Sequence, residues 1–191
     1  MPVTPADVVN QALQMSGNNQ PAVTGQPPLF DSTPAGVAAA KLYAPCVAFV
    51  ARQYEWDMAR QQIVLAASGR TPPPGWSYEY LYPTNGVEIW QILPTAVGDP
   101  NNPLPTNWVV ANALIGSPAS QVKVIWTNVG GAQAIYNNNP GPDVWDPGFR
   151  ESVARLLASE FAIALAGRPE TSSALLQSAG GVVEIAKTRD A

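Results

Sequence analysis

The sequence contains no histidine and only one cysteine, Cys46, among its 191 residues. Without histidine, the commonest general base, the Ser-His-Asp and Cys-His nucleophile pairs and most zinc sites are excluded. A single cysteine excludes an internal disulfide framework and suits a reducing compartment. We therefore expect a protein that is not an enzyme, and we assign no catalytic residue, no cofactor and no metal ligand.

Charged residues are also scarce, at 13% of the chain, which is about half the usual share. Ten Lys and Arg against fourteen Asp and Glu give a net charge of −4. A protein that binds the phosphates of nucleic acid needs clustered cations, so this balance argues against nucleic-acid binding as the main function. Residues 1–4 lack the charged and apolar regions of a secretory signal. The most apolar stretch, 35–51, carries Lys41 and Pro45 and predicts a buried helix of a soluble, cytoplasmically made protein.

Helix-start signals predict four helices. Thr4, Thr33 and Asp146 are each followed directly by proline, which is the pattern of a capping side chain before the first helical residue. The predicted helices run from 5 to about 16, 34 to about 56, 147 to about 166, and 170 to about 187. Pro45 predicts a kink in the second helix, and Gly180-Gly181 a bend or break in the fourth.

Short β-rich runs separated by Pro- and Gly-rich turns, such as 98–103, occupy the middle of the chain. They cover 63–67, 77–82, 87–93, 108–115 and 121–127. The fold class is therefore α+β: a four-helix bundle with an antiparallel β-sheet inserted between helices 2 and 3. The expected domains are 1–60 with 146–191 for the helical bundle, and 61–145 for the inserted β-rich region.

The second helix is apolar on nearly every face, so it has to be covered on more than one side. In a small domain with few helices, a neighbouring subunit is a natural cover. We therefore predict a subunit interface on this helix. Its residues are Val37, Ala40, Ala44, Val47, Ala48 and Ala51.

Two other functions remain open on the residues alone. The six tryptophans are most simply explained by packing in the core, which is the commoner role of such side chains. They leave open the alternative of a β-rich module that binds a glycan or a protein. An enzyme working through carboxylates, for instance Asp143 with Glu79, has no supporting motif spacing. Asp146 is better explained as a helix cap, and Glu79 and Glu88 as solvent-facing strand residues.

Four stretches in order along the chain carry a resemblance. They are Asp7 to Leu13 in the first helix, Tyr43 to Arg60 with its Tyr-Glu-Trp-Asp-Met-Ala segment, Gly75 to Pro83 with Gly-Trp-Ser-Tyr-Glu-Tyr, and Phe149 to Ala166 with the pattern F-x-x-x-V-x-x-L-L-A-x-x-F-A-x-x-L-A. Together they are distributed along the chain from residue 7 to residue 166. In this set the chain resembles the tail tubular protein A and head–tail connector (adaptor) family of tailed bacteriophages.

The resemblance implies a non-enzymatic virion protein at the head–tail interface, assembled in the host cytoplasm. It implies a homo-oligomeric ring of twelve copies between the portal protein and a distal tail or nozzle protein. Double-stranded DNA passes through the ring during ejection without sequence-specific binding, no membrane is involved, and a net negative channel suits DNA passage.

The resemblance also implies which regions meet which partners. The C-terminal helix is expected to contact the portal, through Leu175, Leu176, Ala179, Val182, Val183, Ala186, Lys187 and Arg189. The β-rich region is expected to contact the distal tail component, through Trp76, Tyr78, Tyr80, Trp90 and Trp108.

Overall fold

The protein has an α+β fold in which antiparallel β-sheets lie between the second and third of four helices. A computed structural model describes residues 2–17, 20–94, 106–116 and 120–190, with side chains as far as residue 188. The helices are α1 (Pro5–Met15), α2 (Pro34–Ala51), α3 (Pro147–Ala164) and α4 (Pro169–Asp190). The strands are β1 (Gly25–Gln26), β2 (Leu29–Phe30), β3 (Arg60–Val64), β4 (Tyr78–Leu81), β5 (Glu88–Pro94), β6 (Trp108–Ile115), β7 (Ser120–Thr127) and β8 (Ala132–Asn137).

The chain forms two compact units. The helical unit comprises Met1–Met58 with Asn139–Ala191, and the β unit comprises Ala59–Asn138. The sequence placed these limits at 60/61 and 145/146. The turn expected at 98–103 lies outside the described residues.

Local hydrogen bonds start the first three helices where the sequence predicts. The Thr4 hydroxyl accepts from the Asp7 N–H at 3.2 Å, and the Asp7 carboxylate accepts from the Thr4 N–H at 2.8 Å, which completes a capping box. The Thr33 hydroxyl accepts from the Gly36 N–H at 3.0 Å. Because each cap is satisfied by residues two or three positions away, these boundaries follow from the sequence alone.

The second helix ends earlier than the sequence predicts, at Ala51 rather than near Trp56. The Trp56 indole N–H donates to the Val50 carbonyl at 3.1 Å, and the ring is fully buried in edge contact with Phe149, 5.1 Å between centroids. Burial of this large ring stabilises the chain more than another turn of α2 would, so the helix ends before Trp56. The helix is otherwise continuous through Pro45.

The helical unit is centred on α3, which α1, α2 and α4 all contact. Ten of its eighteen residues are buried: Phe149, Ser152, Val153, Ala154, Leu156, Leu157, Ala158, Ser159, Phe161 and Ala162. α4 is one continuous helix, so the predicted break at Gly180-Gly181 is wrong and the bend stays a prediction. Packing against α3 holds the glycine pair in helical conformation despite its low propensity.

The segment 18–31 is expected from the sequence to be a loop, but its second half forms a two-stranded ribbon. β1 pairs antiparallel with β2. The Asp31 carboxylate then accepts from the backbone N–H groups of Thr24, at 2.6 Å, and Thr33, at 3.1 Å. This side chain therefore ties the ribbon to the start of α2.

The described residues of the β unit form two three-stranded sheets rather than the single sheet expected, with orders β3-β8-β5 and β4-β7-β6. The sheets share one core: Leu65, Tyr80, Ile89, Ile92, Ile125, Ala132, Ala134 and Tyr136. The strand that the sequence prediction missed, β8, is the central strand of the first sheet. Its alanines have low β-propensity, and burial between neighbours decides its conformation.

Candidate functional site

The outer face of α2 exposes apolar side chains to solvent. Val37 is 47% exposed and Phe49, which the sequence prediction of the interface omitted, is 54% exposed. Ala40 and Ala44 lie between them and are exposed, and Ala48 is half-buried. Val37, Ala40, Ala44 and Ala48 follow one another at three- or four-residue spacing and form one stripe along the helix, whereas Phe49 lies about 100° around the helix from Ala48, at the edge of the exposed face.

Two of the predicted interface residues face the other way. Val47 is 1% exposed and Ala51 is 2% exposed within a single chain. They belong to the inner face of α2 together with Ala39, Cys46 and Val50, which are also buried. Because core packing already covers these side chains, a neighbouring subunit can reach only the outer four of the six predicted residues.

By length and composition, α2 is also the one helix among the described residues that is apolar enough to cross a membrane, with a mean hydropathy of 1.4. Core helices of soluble proteins meet the same criterion. The inner face of α2 packs against α3, and this packing explains why the residues on that face are apolar. The exposed outer stripe is the part that the fold of one chain leaves unexplained.

The apolar stripe of α4, predicted to meet a portal, is largely used inside the chain. Ala179, Val183 and Ala186 are buried, at 5–8% exposure, because α4 covers α3. Leu175, Val182 and Lys187 are half-buried, Leu176 is exposed, and the side chain of Arg189 lies outside the described residues. The Lys187 ammonium pairs with Glu184 at 2.8 Å.

An apolar groove of about 240 Å³ lies where α4 and the C-terminal half of α2 meet over α3. Phe49 and Leu176, each about half exposed, stand on its two sides. Gly180 also lines it, and no atom lies within 4 Å of where a Gly180 Cβ would be. The signal in the sequence is Gly180-Gly181, which predicts a bend or break in the helix and does not by itself indicate a groove.

The predicted tail-contact residues of the β unit differ in accessibility. Tyr80 is a core residue, 5% exposed, and its hydroxyl donates to the Val129 carbonyl at 3.0 Å. Trp76, Trp90 and Trp108 are half-buried. Tyr78 is 43% exposed, so it is the aromatic of this set that a partner reaches most easily.

Glu79 is buried, at 5% exposure, so the prediction that it faces solvent is wrong. One carboxylate oxygen accepts from the Ser68 hydroxyl at 2.7 Å and lies 3.8 Å from the Arg70 Nε. The other accepts from the Trp126 indole at 2.8 Å. Because a buried carboxylate needs such partners, this arrangement is explained by the structure of the β unit alone.

The other groups considered for chemistry have local roles. The Asp146 carboxylate accepts from the Gly148 and Phe149 N–H groups, at 2.6 and 3.4 Å, which confirms it as the cap of α3. Burial, with a smaller contribution from the negative charge of Glu160, raises the pKa of the Cys46 thiol to about 12. Within the described ranges, no group of three or more acidic or cysteine side chains is placed to hold a metal ion.

Comparison of the sequence with protein-family models finds no match, and comparison with curated proteins finds none either. The function is therefore inferred from the surfaces described above and from the resemblance of the sequence motifs.

Proposed function

We propose that the protein is a structural adaptor of a phage virion. It forms a ring, expected to contain twelve copies, between the portal and the tail or nozzle, and extends the DNA channel. It works by packing surfaces rather than by catalysis. The observation that carries this proposal is the exposed apolar outer face of α2.

For an isolated chain, leaving these apolar side chains of α2 in water is unfavourable in free energy. Val37 and Phe49 keep about half of their surfaces in water, and the exposed residues between them are mostly alanine and proline. Burying apolar surface contributes about 25 cal/mol per Å², so a partner that covers the apolar side chains beside the exposed Lys41 gains stability from them. A neighbouring subunit on Val37, Ala40, Ala44 and Ala48 supplies the missing cover.

The architecture supports the same proposal. In this proposal the helical unit is a four-helix bundle organised around α3, and the β unit is inserted in the chain between α2 and α3. This is the arrangement that the family resemblance implies. The exposed part of Tyr78 and the accessible parts of Trp76, Trp90 and Trp108 are then the proposed contacts with the distal tail component. Of the predicted portal residues of α4, the exposed Leu176 and the half-buried Leu175, Val182 and Lys187 are accessible to a portal.

The test is the mass and appearance of the assembly, by native mass spectrometry and negative-stain images, for the protein alone and after addition of portal rings. The parent chain should form closed rings in at least one of these conditions. Ala40→Glu, which places a charge in the outer stripe of α2, should lose the rings while its circular dichroism stays that of the parent. Ala164→Glu, at an exposed position near the end of α3, is the matched control and should still assemble.

A parent chain that stays monomeric under both conditions would contradict the adaptor proposal and favour the alternative of a binding module. Rings formed equally well by Ala40→Glu would show that the interface lies elsewhere than on α2.

A further inference from the structure

The helical unit carries two accessible apolar surfaces, each with a charged residue of opposite sign. The first, here called the α2 ridge, is the exposed face of the first half of α2: Val37, Ala40, Lys41 and Ala44. The second, here called the α2–α4 groove, is the apolar groove lined by Phe49, Leu156, Leu176, Ala179, Gly180 and Glu184. Val37 and Phe49 are twelve residues apart, so the two surfaces are separated by about 18 Å along α2.

The charges of the two surfaces are opposite. Lys41 is the one charged residue of the α2 ridge and lies one helical turn from Val37, on the same side of the helix. The one charged residue of the α2–α4 groove is Glu184, whose side chain is 73% exposed at the edge. Its pairing with Lys187 is exposed, and such pairs are weak, so Glu184 remains available to a second cation.

Gly180 keeps the groove open. A glycine inside a helix is unfavourable, and no atom within 4 Å of its missing Cβ requires one at this position. The packing of a single chain therefore does not explain the glycine. Because Gly180 lines the α2–α4 groove and has no side chain, it leaves room there for a side chain of a second copy.

We propose that the α2 ridge of one copy docks in the α2–α4 groove of a second copy, with Val37 inserted beside Gly180 and Lys41 paired with Glu184. The inference rests on the ring proposed above and names the surface that receives α2. Ridge and groove are different surfaces, and each copy carries both. The contact is therefore heterologous and repeats head to tail, which is the type of contact that closes a ring.

Disulfide cross-linking tests this pairing directly. Val37→Cys and Gly180→Cys are prepared as separate proteins, mixed and oxidised. The native Cys46 does not compete for disulfide formation, because it is buried and its thiol stays protonated. The mixture should give a cross-linked dimer that neither protein gives alone, and a chain carrying both substitutions should give a ladder of oligomers. Val37→Cys mixed with Ile163→Cys, an exposed residue on α3, is the control. No cross-link to Gly180→Cys, or an equal yield with Ile163→Cys, would overturn the inference.

Variants that keep the fold give an independent readout in the assembly assay. Gly180→Leu adds a large side chain at a groove position where a Cβ meets no neighbouring side chain and should weaken assembly about tenfold, whereas Gly181→Leu, at a helix position that is also open but outside the groove, should not. Lys41→Glu and Glu184→Lys should each weaken assembly, and the two together should restore it.

The outcomes separate this inference from the proposed function. Normal assembly of Gly180→Leu together with failure of Ala40→Glu leaves α2 as a subunit interface and removes the α2–α4 groove as its partner. Normal assembly of Ala40→Glu contradicts the α2 interface itself, and the inference falls with it.

Discussion

The contact between the start of α3 and the end of α4 gives a sharp test of the packing in the helical unit. A Cβ added to Gly148 would lie 2.6 Å from the Ala186 Cβ and 3.0 Å from a carboxylate oxygen of Asp146. Carbon atoms in contact are about 3.5–4.0 Å apart, so Gly148→Ala has to push the end of α4 outward by about 1 Å. By contrast, no atom lies within 4 Å of the Cβ position of Gly181, which is in α4 itself.

The same chemical change should therefore have opposite effects at the two sites. Overpacking costs about 1–3 kcal/mol and the better helix propensity of alanine returns up to about 1 kcal/mol, so Gly148→Ala should lower the free energy of unfolding by about 1–2 kcal/mol. That is a fall in Tm of about 2–8 °C for a chain of this size. Gly181→Ala meets no clash and should raise the free energy of unfolding by about 0.5–1 kcal/mol.

Urea unfolding followed by circular dichroism measures both changes as shifts in the midpoint at constant slope. The double variant Gly148→Ala with Ala186→Gly removes the clashing atom and should recover about 1–2 kcal/mol relative to the sum of the single variants. A Gly148→Ala protein as stable as the parent, or a double variant whose effects simply add, would refute the close packing of α3 on α4.

Two further predictions concern the boundaries of α2. Trp56→Phe removes the donor to the buried Val50 carbonyl and should lower the free energy of unfolding by about 1–3 kcal/mol, measured by urea unfolding. An unchanged midpoint would mean that this hydrogen bond does not help to end the helix. Hydrogen bonds from Thr33 and then Thr24 lower the pKa of Asp31 from 3.8 to about 2, so its stabilising contribution is present above the unfolded-state pKa near 4 and is lost as the pH falls towards 2. The stability difference between the parent and Asp31→Asn should accordingly be constant from pH 5 to 7 and shrink between about pH 4 and 2, and a difference that is the same at every pH would contradict this account.

The sequence by itself determined the features that depend on near neighbours. The start of α1 at Thr4 and of α3 at Asp146 required only a capping side chain, a following proline and backbone N–H groups two or three residues away. The strand Trp108–Ile115 was likewise predicted with its observed bounds, because a β-rich run between turn residues specifies an extended segment locally. The α+β class followed from the order of these elements.

Only the tertiary structure decided which faces are buried. α2 is apolar all round, so its sequence could not say that Val47 packs inward while Val37 stays in water; that choice depends on where α3 lies. The alanines of β8 form a strand because neighbours pair with both of its edges. Glu79 is buried because Ser68, Arg70 and Trp126 come from elsewhere in the chain to meet its carboxylate. In each case the deciding partner is distant in sequence, and a periodic pattern within one segment does not encode it.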